Sequence, residues 1–192
     1  MPSITISRQL GSLGNEVARA IAVRMNYQVV CRDLVNQAAI QCGAPELALS
    51  FIDDLNLLGI RPSEKSRRKF LECIDRAMHE LANQGDVVIV GRAGQIILRD
   101  FPGVLHVKVI APAPLRVERI ASEQGITLEA AQAQVQTSDR SRKNYLKRYY
   151  HARWDDPELY DLIVNTNRLA PAEAACLIGQ AMKQWLSPST SN

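Results

Sequence analysis

Arginines and glycines at a few positions hold most of this chain's concentrated chemistry. "RQLGSLGNE" at residues 8–16 puts Arg8 at the end of an alternating, β-branched run, "SITIS" at 3–7, and follows it with Gly11, Ser12 and Gly14. Glycines let successive backbone N–H groups converge on an anion, and a helix that starts there adds its dipole. A second arginine, Arg92, comes directly after "VVIVG" at 87–91. The planar guanidinium fork suits bidentate capture of a phosphate. A third concentration is "DRSRKNYLKRYYHAR" at 139–153, rich in Lys and Arg with a single Asp. All three patterns suit anions. Other chemistries find no support: His79, His106 and His151 have no ligand spacing, and no nucleophile elbow or HExxH motif is present.

Each pattern has a plainer reading. Aligned on Gly14, the phosphate-loop pattern GxxxxGK[ST] meets Gln9 at its first glycine, Asn15 in place of its lysine and Glu16 in place of its Ser/Thr. A glycine-rich turn used only for tight packing is the alternative. Arg92 as a surface arginine paired with a carboxylate is the commoner case in general, although a turn after a central strand is a less usual place for one. For an isolated charge run, a solvated helix face is the favoured reading.

Positioning these residues requires strands that alternate with helices. Val17, Ala18, Ile21, Ala22 and Met25 fall on one helical face after Asn15. "YQVVC" at 27–31 reads as a second strand, and residues 33–63 as helical pieces broken at Gly43–Pro45 and Gly59–Pro62. Phe70, Leu71, Ile74, Ala77, Met78 and Leu81 make an amphipathic helix closed near Gly85. "VVIVG" is the unbroken apolar run of a strand buried on both faces. "VLHVKVI" at 104–110 is another strand, then a helix spans about 113–123. Thr127 caps the helix that carries the basic run, "YDLIVN" at 160–165 is the last strand, and Pro171 opens a final helix. This alternation predicts a parallel sheet with helices on both faces, and ligands beyond the carboxyl ends of its strands.

Composition bounds the rest. The 192 residues suit one domain, 46% of them hydrophobic, and no apolar run approaches a membrane span of about 20 residues. The N-terminus lacks signal-peptide features, and Cys31, Cys42, Cys73 and Cys176 are scattered, so a cytoplasmic protein with free thiols is expected. A net charge of +3 argues against a general nucleic-acid binder.

Together the motifs resemble the cytidylate kinase-like family. "GRAGQIILRDFP" is similar to the acceptor-site GRD motif with its apolar stretch and proline; "TISRQLGSLGNEVA" resembles the S-R-x-x-G-S-x-G-x-E opening; "DRSRKNYLKRYY" resembles the basic lid with D-x-x-R; "WDDPELYDLIVNTNRL" resembles the final strand and its loop. In this order they span nearly the whole chain. The resemblance implies a three-layer, P-loop NTPase fold of the nucleoside monophosphate kinase kind: a five-stranded parallel sheet with a helical lid. It implies one domain over 1–186, an acceptor-binding segment near 33–63, a lid near 124–156 and a flexible tail at 187–192.

The activity so implied is ATP- and Mg²⁺-dependent phosphoryl transfer to a nucleoside monophosphate of the CMP/dCMP kind. Gly11, Ser12, Gly14, Asn15 and Glu16 would hold the donor phosphates through backbone N–H groups. Arg8 would supply charge that a lysine usually brings, and Glu16 would contact the metal or its water shell. Arg92 and Asp33 would bind the acceptor. Asp33 as a helix N-cap is the alternative. Arg140 and Arg142, with Asp139, would close over the transferred group, Arg148 and Arg153 being weaker candidates. Asn165 and Thr166 would edge the adenine pocket. Two departures matter: Asn15 stands where the branch often has a basic residue, and Ala93 where cytidylate kinases proper have the GRD aspartate that helps choose cytosine. Hence a nucleotide-binding module without turnover is the second reading, and a single-stranded nucleic-acid binder using 139–153 a weaker third. No membrane partner is expected.

Overall fold

The computed structural model describes residues 2–41, 43 and 63–186. Most of the expected acceptor-binding segment at 33–63, and the expected tail at 187–192, lie outside them. The strands are β1 (Ser3–Arg8), β2 (Gln28–Val30), β3 (Val87–Val90), β4 (Val104–Ile110) and β5 (Leu162–Asn165). The helices are α1 (Gly14–Met25), α2 (Arg32–Gln41), α3 (Glu64–Gln84), the single turn α4 (Gly94–Ile97), α5 (Ala113–Gln124), α6 (Leu128–Tyr150) and α7 (Pro171–Leu186).

The strands form one parallel sheet in the order β2-β3-β1-β4-β5. Side-chain alternation sends residues to both faces. Ile4, Ile6, Val88, Val90, Leu105, Val107 and Val109 pack on one side with α1 and α7. Val87, Ile89 and Val104 pack on the other with Phe70, Ile74 and Met78 of α3 and Val35 of α2. The sequence alternation was therefore legible as three α/β/α layers.

One consequence of the alternation bears on the site. On β1 the apolar residues face α1 and α7, which leaves buried Ser3, Thr5 and Ser7 on the opposite side. The register sets Thr5 beside His106 and Ser7 beside Lys108. The far half of that face is polar, and α6 with the turn after it covers this region. Trp154 follows α6 and packs with Leu146 and Ala93.

Helix ends follow local chemistry. Ser63 caps α3 by accepting from Ser66 N, and Thr127 caps α6 by accepting from Ala130 N. Leu13, before α1, is left-handed and has no side-chain oxygen to offer. The first N–H groups of α1 are thus left for another acceptor. The last strand begins at Leu162 rather than Tyr160, because Pro157–Leu159 form a one-turn 3-10 helix that turns Tyr160 inward.

Candidate functional site

The loop after β1 is built from reciprocal ties. The buried Ser12 hydroxyl donates to Gln9 O at 2.8 Å and to Val109 O at 3.1 Å, and Ala111 N donates to Gln9 Oε1 at 3.0 Å. The Ser12 side chain therefore pins the loop to β4, leaving backbone N–H groups as its means of gripping an anion. Gly14 is required by a close approach: a Cβ there would lie 2.4 Å from Arg8 Cβ. Gly11, at φ +75°, would drive a Cβ to 2.6 Å from Arg116 O.

The loop after β3 is left-handed at three successive residues, Gly91, Arg92 and Ala93 (φ 89°, 55° and 57°). Two non-glycine residues in that region store strain of order 1–3 kcal/mol each, which accumulates at functional sites. This turn aims Arg92, 6% exposed, with its guanidinium 5.9 Å from the Phe70 ring centroid. A Cβ on Gly91 would stand 2.9 Å from Arg8 Nη1, so Gly91 makes room for the Arg8 guanidinium.

Two cavities open at these strand ends. The first, of about 540 Å³, is lined by Ser7, Arg92, Ala93, Gln95, Tyr145 and Trp154 among others. The second, of about 480 Å³, is lined by the loop from Gln9 to Glu16 except Ser12, by Cys31 and Asp33, and by Arg119. Arg8, Leu10, Arg32 and Arg142 line both. Three guanidiniums therefore stand where the cavities meet, and Arg92 stands on the first. No Asp or Glu among the described residues lines the first cavity. The second has Glu16, Asp33 and Glu123.

This gathering of cations carries an electrostatic cost. Burial, reinforced by the charges of Arg142, Arg32 and Arg92, pushes Arg8 down to about 10. Burial likewise lowers Arg142, against the opposing pull of Asp139 and with Arg32 and Arg116 adding to the descent. Like charges held together in a cleft lower their energy by accepting an anion. Arg8 is oriented by its Nε, which donates to Asn15 Oδ1 at 3.1 Å. Asn15, at the place of the usual lysine, thus serves as a holder for an arginine from β1.

The residues expected at the site divide into groups. Arg8, Arg92, Arg142 and the loop residues Gly11, Gly14, Asn15 and Glu16 line the cavities. Asp33 is exposed and lines the second cavity, not the one around Arg92; it sits inside the first turn of α2, with Cys31 O accepting the first bond of that helix. Arg140 is exposed and lines neither. Asp139 lines neither and pairs with Arg116. Thr166 is buried, and its hydroxyl donates to Ser12 O at 2.8 Å, a brace for the loop. Asn165 accepts from Asn167 N at 3.0 Å in a local turn. Glu16 pairs with Arg19 at 3.2 Å. Among the described residues no three His, Cys, Asp or Glu side chains gather as a metal site.

Four charged residues of the site region escaped the sequence reading. Arg32 lines both cavities. Arg119 donates to Gly11 O at 3.2 Å and to Thr166 O at 2.9 Å. Arg116 is 4% exposed, and Lys108 is 6% exposed with Nζ donating to Trp154 O at 2.6 Å. Lys108 had a visible signal, a cation inside the apolar run "VLHVKVI". The arginines lie in polar helices where nothing local sets them apart.

Comparison with known proteins agrees with this geometry. The model of the cytidylate kinase-like family matches residues 3–168. A cytidylate kinase of Methanocaldococcus jannaschii is 27% identical over 168 residues, 86% of this chain and 88% of that protein. Another, of Methanopyrus kandleri, is 32% identical over 121 residues, 59% of this chain and 63% of that protein. Among solved structures, an uncharacterized protein from Eubacterium ventriosum superposes with a TM-score of 0.76 at 20% identity, covering 95% of this chain and 99% of its own. Shikimate kinase from Acinetobacter baumannii superposes with a TM-score of 0.56 at 14% identity, covering 98% and 96%. These two likenesses show the fold alone, an α/β fold shared with shikimate kinase.

Proposed function

The chain belongs to the cytidylate kinase-like family, and from that premise we propose that it transfers the γ-phosphoryl group of ATP to the phosphate of a nucleoside monophosphate of the CMP/dCMP kind. The observation that carries this reading is the contrast between cavities. The first presents Arg92, Arg8, Arg32 and Arg142 with no described carboxylate. An alcohol acceptor needs a base to take its proton. A phosphate monoester is already an anionic nucleophile near pH 7 and needs cations to bring it to another anion. Four arginines gathered at one cavity suit the second case.

In this account the donor triphosphate occupies the second cavity, its phosphates on the backbone N–H groups between Gly11 and Gly14 and on the uncapped start of α1. Arg92 clamps the acceptor phosphate. Arg8, Arg32 and Arg142 stand between the two and spread the charge that develops on the transferring group, and such chemistry is largely positioning and neutralisation. Mg²⁺ takes one or two protein carboxylates along with substrate phosphates, and Glu16 and Asp33 in the second cavity fit that need. Bound there with the nucleotide, it would supply further neutralisation of the donor phosphates.

The test is ADP formation from ATP and Mg²⁺ with the purified chain, across CMP, dCMP, UMP, AMP and GMP, beside alcohol acceptors such as shikimate and gluconate. Turnover with a monophosphate and none with the alcohols is expected, and Arg92→Ala should abolish it. ATP binding without turnover on any monophosphate would leave the chain a nucleotide-binding module.

A further inference from the structure

The first cavity has a second, neutral wall whose hydrogen bonds run in one direction. Ser7, Gln95 and Trp154 line it, and each is less than 8% exposed. Behind them Tyr160 is buried, and its hydroxyl donates to Trp154 O at 2.9 Å. Ser7 Oγ is a longer alternative acceptor at 3.5 Å, so the proton goes to Trp154 O, the phenol oxygen accepts, and Gln95 Nε2 donates to it at 3.4 Å. Burial pushes the Tyr160 phenol up to about 12, so the proton that sets this direction stays in place at neutral pH. Trp154 O is held from the other side by Lys108 Nζ at 2.6 Å, the ammonium lying 4.8 Å and 4.9 Å from the Trp154 and Tyr160 ring centroids. Trp154 Nε1 donates to Ser7 Oγ at 2.9 Å.

This relay fixes a carboxamide that would otherwise be free to turn over. Reversing Gln95 would set Oε1 against a phenol oxygen with no proton to give, placing two acceptors together. With Nε2 on the phenol, Oε1 is the end left for the cavity. Ala93 brings no polar side-chain group to the same wall. We propose that Gln95, oriented by the Tyr160–Trp154 relay, reads the acceptor base and selects one with an exocyclic amino group, so that CMP and dCMP are bound over UMP. The inference rests on the acceptor reading given above. Cytosine offers its 4-amino N–H to Oε1. Uracil offers a carbonyl oxygen at that place, leaving two desolvated acceptors facing each other, which is worth about 10- to 100-fold in affinity. Gln95 touches the base; Tyr160 is a positioning residue that acts through it.

The experiment measures equilibrium binding and turnover of CMP and UMP by the full chain and by Gln95→Met and Tyr160→Phe, with ATP affinity measured on the same preparations. The wild type should bind CMP at least about tenfold more tightly than UMP. Gln95→Met should bring the ratio close to one by weakening CMP. Tyr160→Phe, which keeps the ring against Lys108, should lower the ratio by freeing the carboxamide to turn. ATP affinity should be unchanged in both. A ratio taken within one protein does not move with general destabilisation. Equal wild-type binding of CMP and UMP, or a ratio preserved in both variants, overturns the inference. Selective CMP binding without turnover would uphold it while overturning the kinase reading. Equal turnover of CMP and UMP would do the reverse, and a chain that binds neither overturns both.

Discussion

Arg116 and Asp139 meet at two points although 23 residues separate them: Nη1 to Oδ1 at 3.2 Å and Nη2 to Oδ2 at 2.9 Å. Arg116 also donates to Leu10 O at 3.3 Å and to Ala111 O at 3.1 Å. One buried guanidinium therefore ties the loop after β1, the end of β4 and helix α6 together, and Arg142 projects from that helix three residues after Asp139. Asp139→Asn leaves Arg116 without its counter-charge. With Asp139 itself 22% exposed, the loss should be about 3 kcal/mol in urea unfolding, the low end of the range for a broken buried pair. An Asp139→Asn protein of unchanged stability would show the pair to be incidental.

Asn15 replaces a lysine, yet its structural task is to accept from Arg8 Nε. Asn15→Ala should lower kcat/KM roughly tenfold through loss of one hydrogen bond to a charged group, with little change in Tm because Asn15 is exposed. Asn15→Lys removes the same acceptor and adds a cation to a crowded group, so it should not raise activity. Increased kcat in Asn15→Lys would mean that the loop lacks charge rather than depends on Arg8.

Gly91 combines φ +89° with a position 2.9 Å from Arg8 Nη1 for any added Cβ. Gly91→Ala should cost about 1 kcal/mol from backbone strain and displace Arg8. Nucleotide affinity, read by calorimetry, should fall at least severalfold more than Gly103→Ala, where a Cβ meets nothing within 4 Å at a comparable positive φ. Equal effects would reduce Gly91 to a turn residue.

Arg8 supplies a pH dependence. Its ordinary value of 12.5 is brought down to about 10, so the charge is complete at pH 7 and is lost as pH rises through about 10. The folded chain without nucleotide holds this proton less firmly than the unfolded chain, so the cost to stability is full below about pH 10 and is relieved above it. Anion affinity runs the other way. ATP affinity should fall as pH rises through 10, and Arg8→Gln should lack that limb while binding more weakly at pH 7.

The fold was legible because its strands and helices carry strong periods: Val87–Val90 as an apolar run, Phe70 to Met78 as a helical stripe. The glycine loop and Arg92 were singled out because strand ends are where such folds bind ligands. Interior charge was not legible. Arg119 and Thr166 lie 47 positions apart and Arg116 and Asp139 lie 23 apart, and only the folded chain shows that Arg119 and Arg116 brace the loop. In the basic run the structure turns Arg142 inward and leaves Arg140 in solvent, a distinction set by helix rotation rather than by residue type. The link of Trp154 to Ser7, 147 residues away, came only with the register of β1 and β4.

Phosphorus NMR of a mixture of the purified chain, ATP, Mg²⁺ and CMP tests the central claim most directly, since it reports which atom receives the phosphoryl group. The account predicts that the CMP resonance declines while the paired signals of a diphosphate other than ADP grow, and that neither change occurs with Arg92→Ala. An unchanged CMP resonance with ATP intact or simply hydrolysed to ADP and phosphate would contradict it.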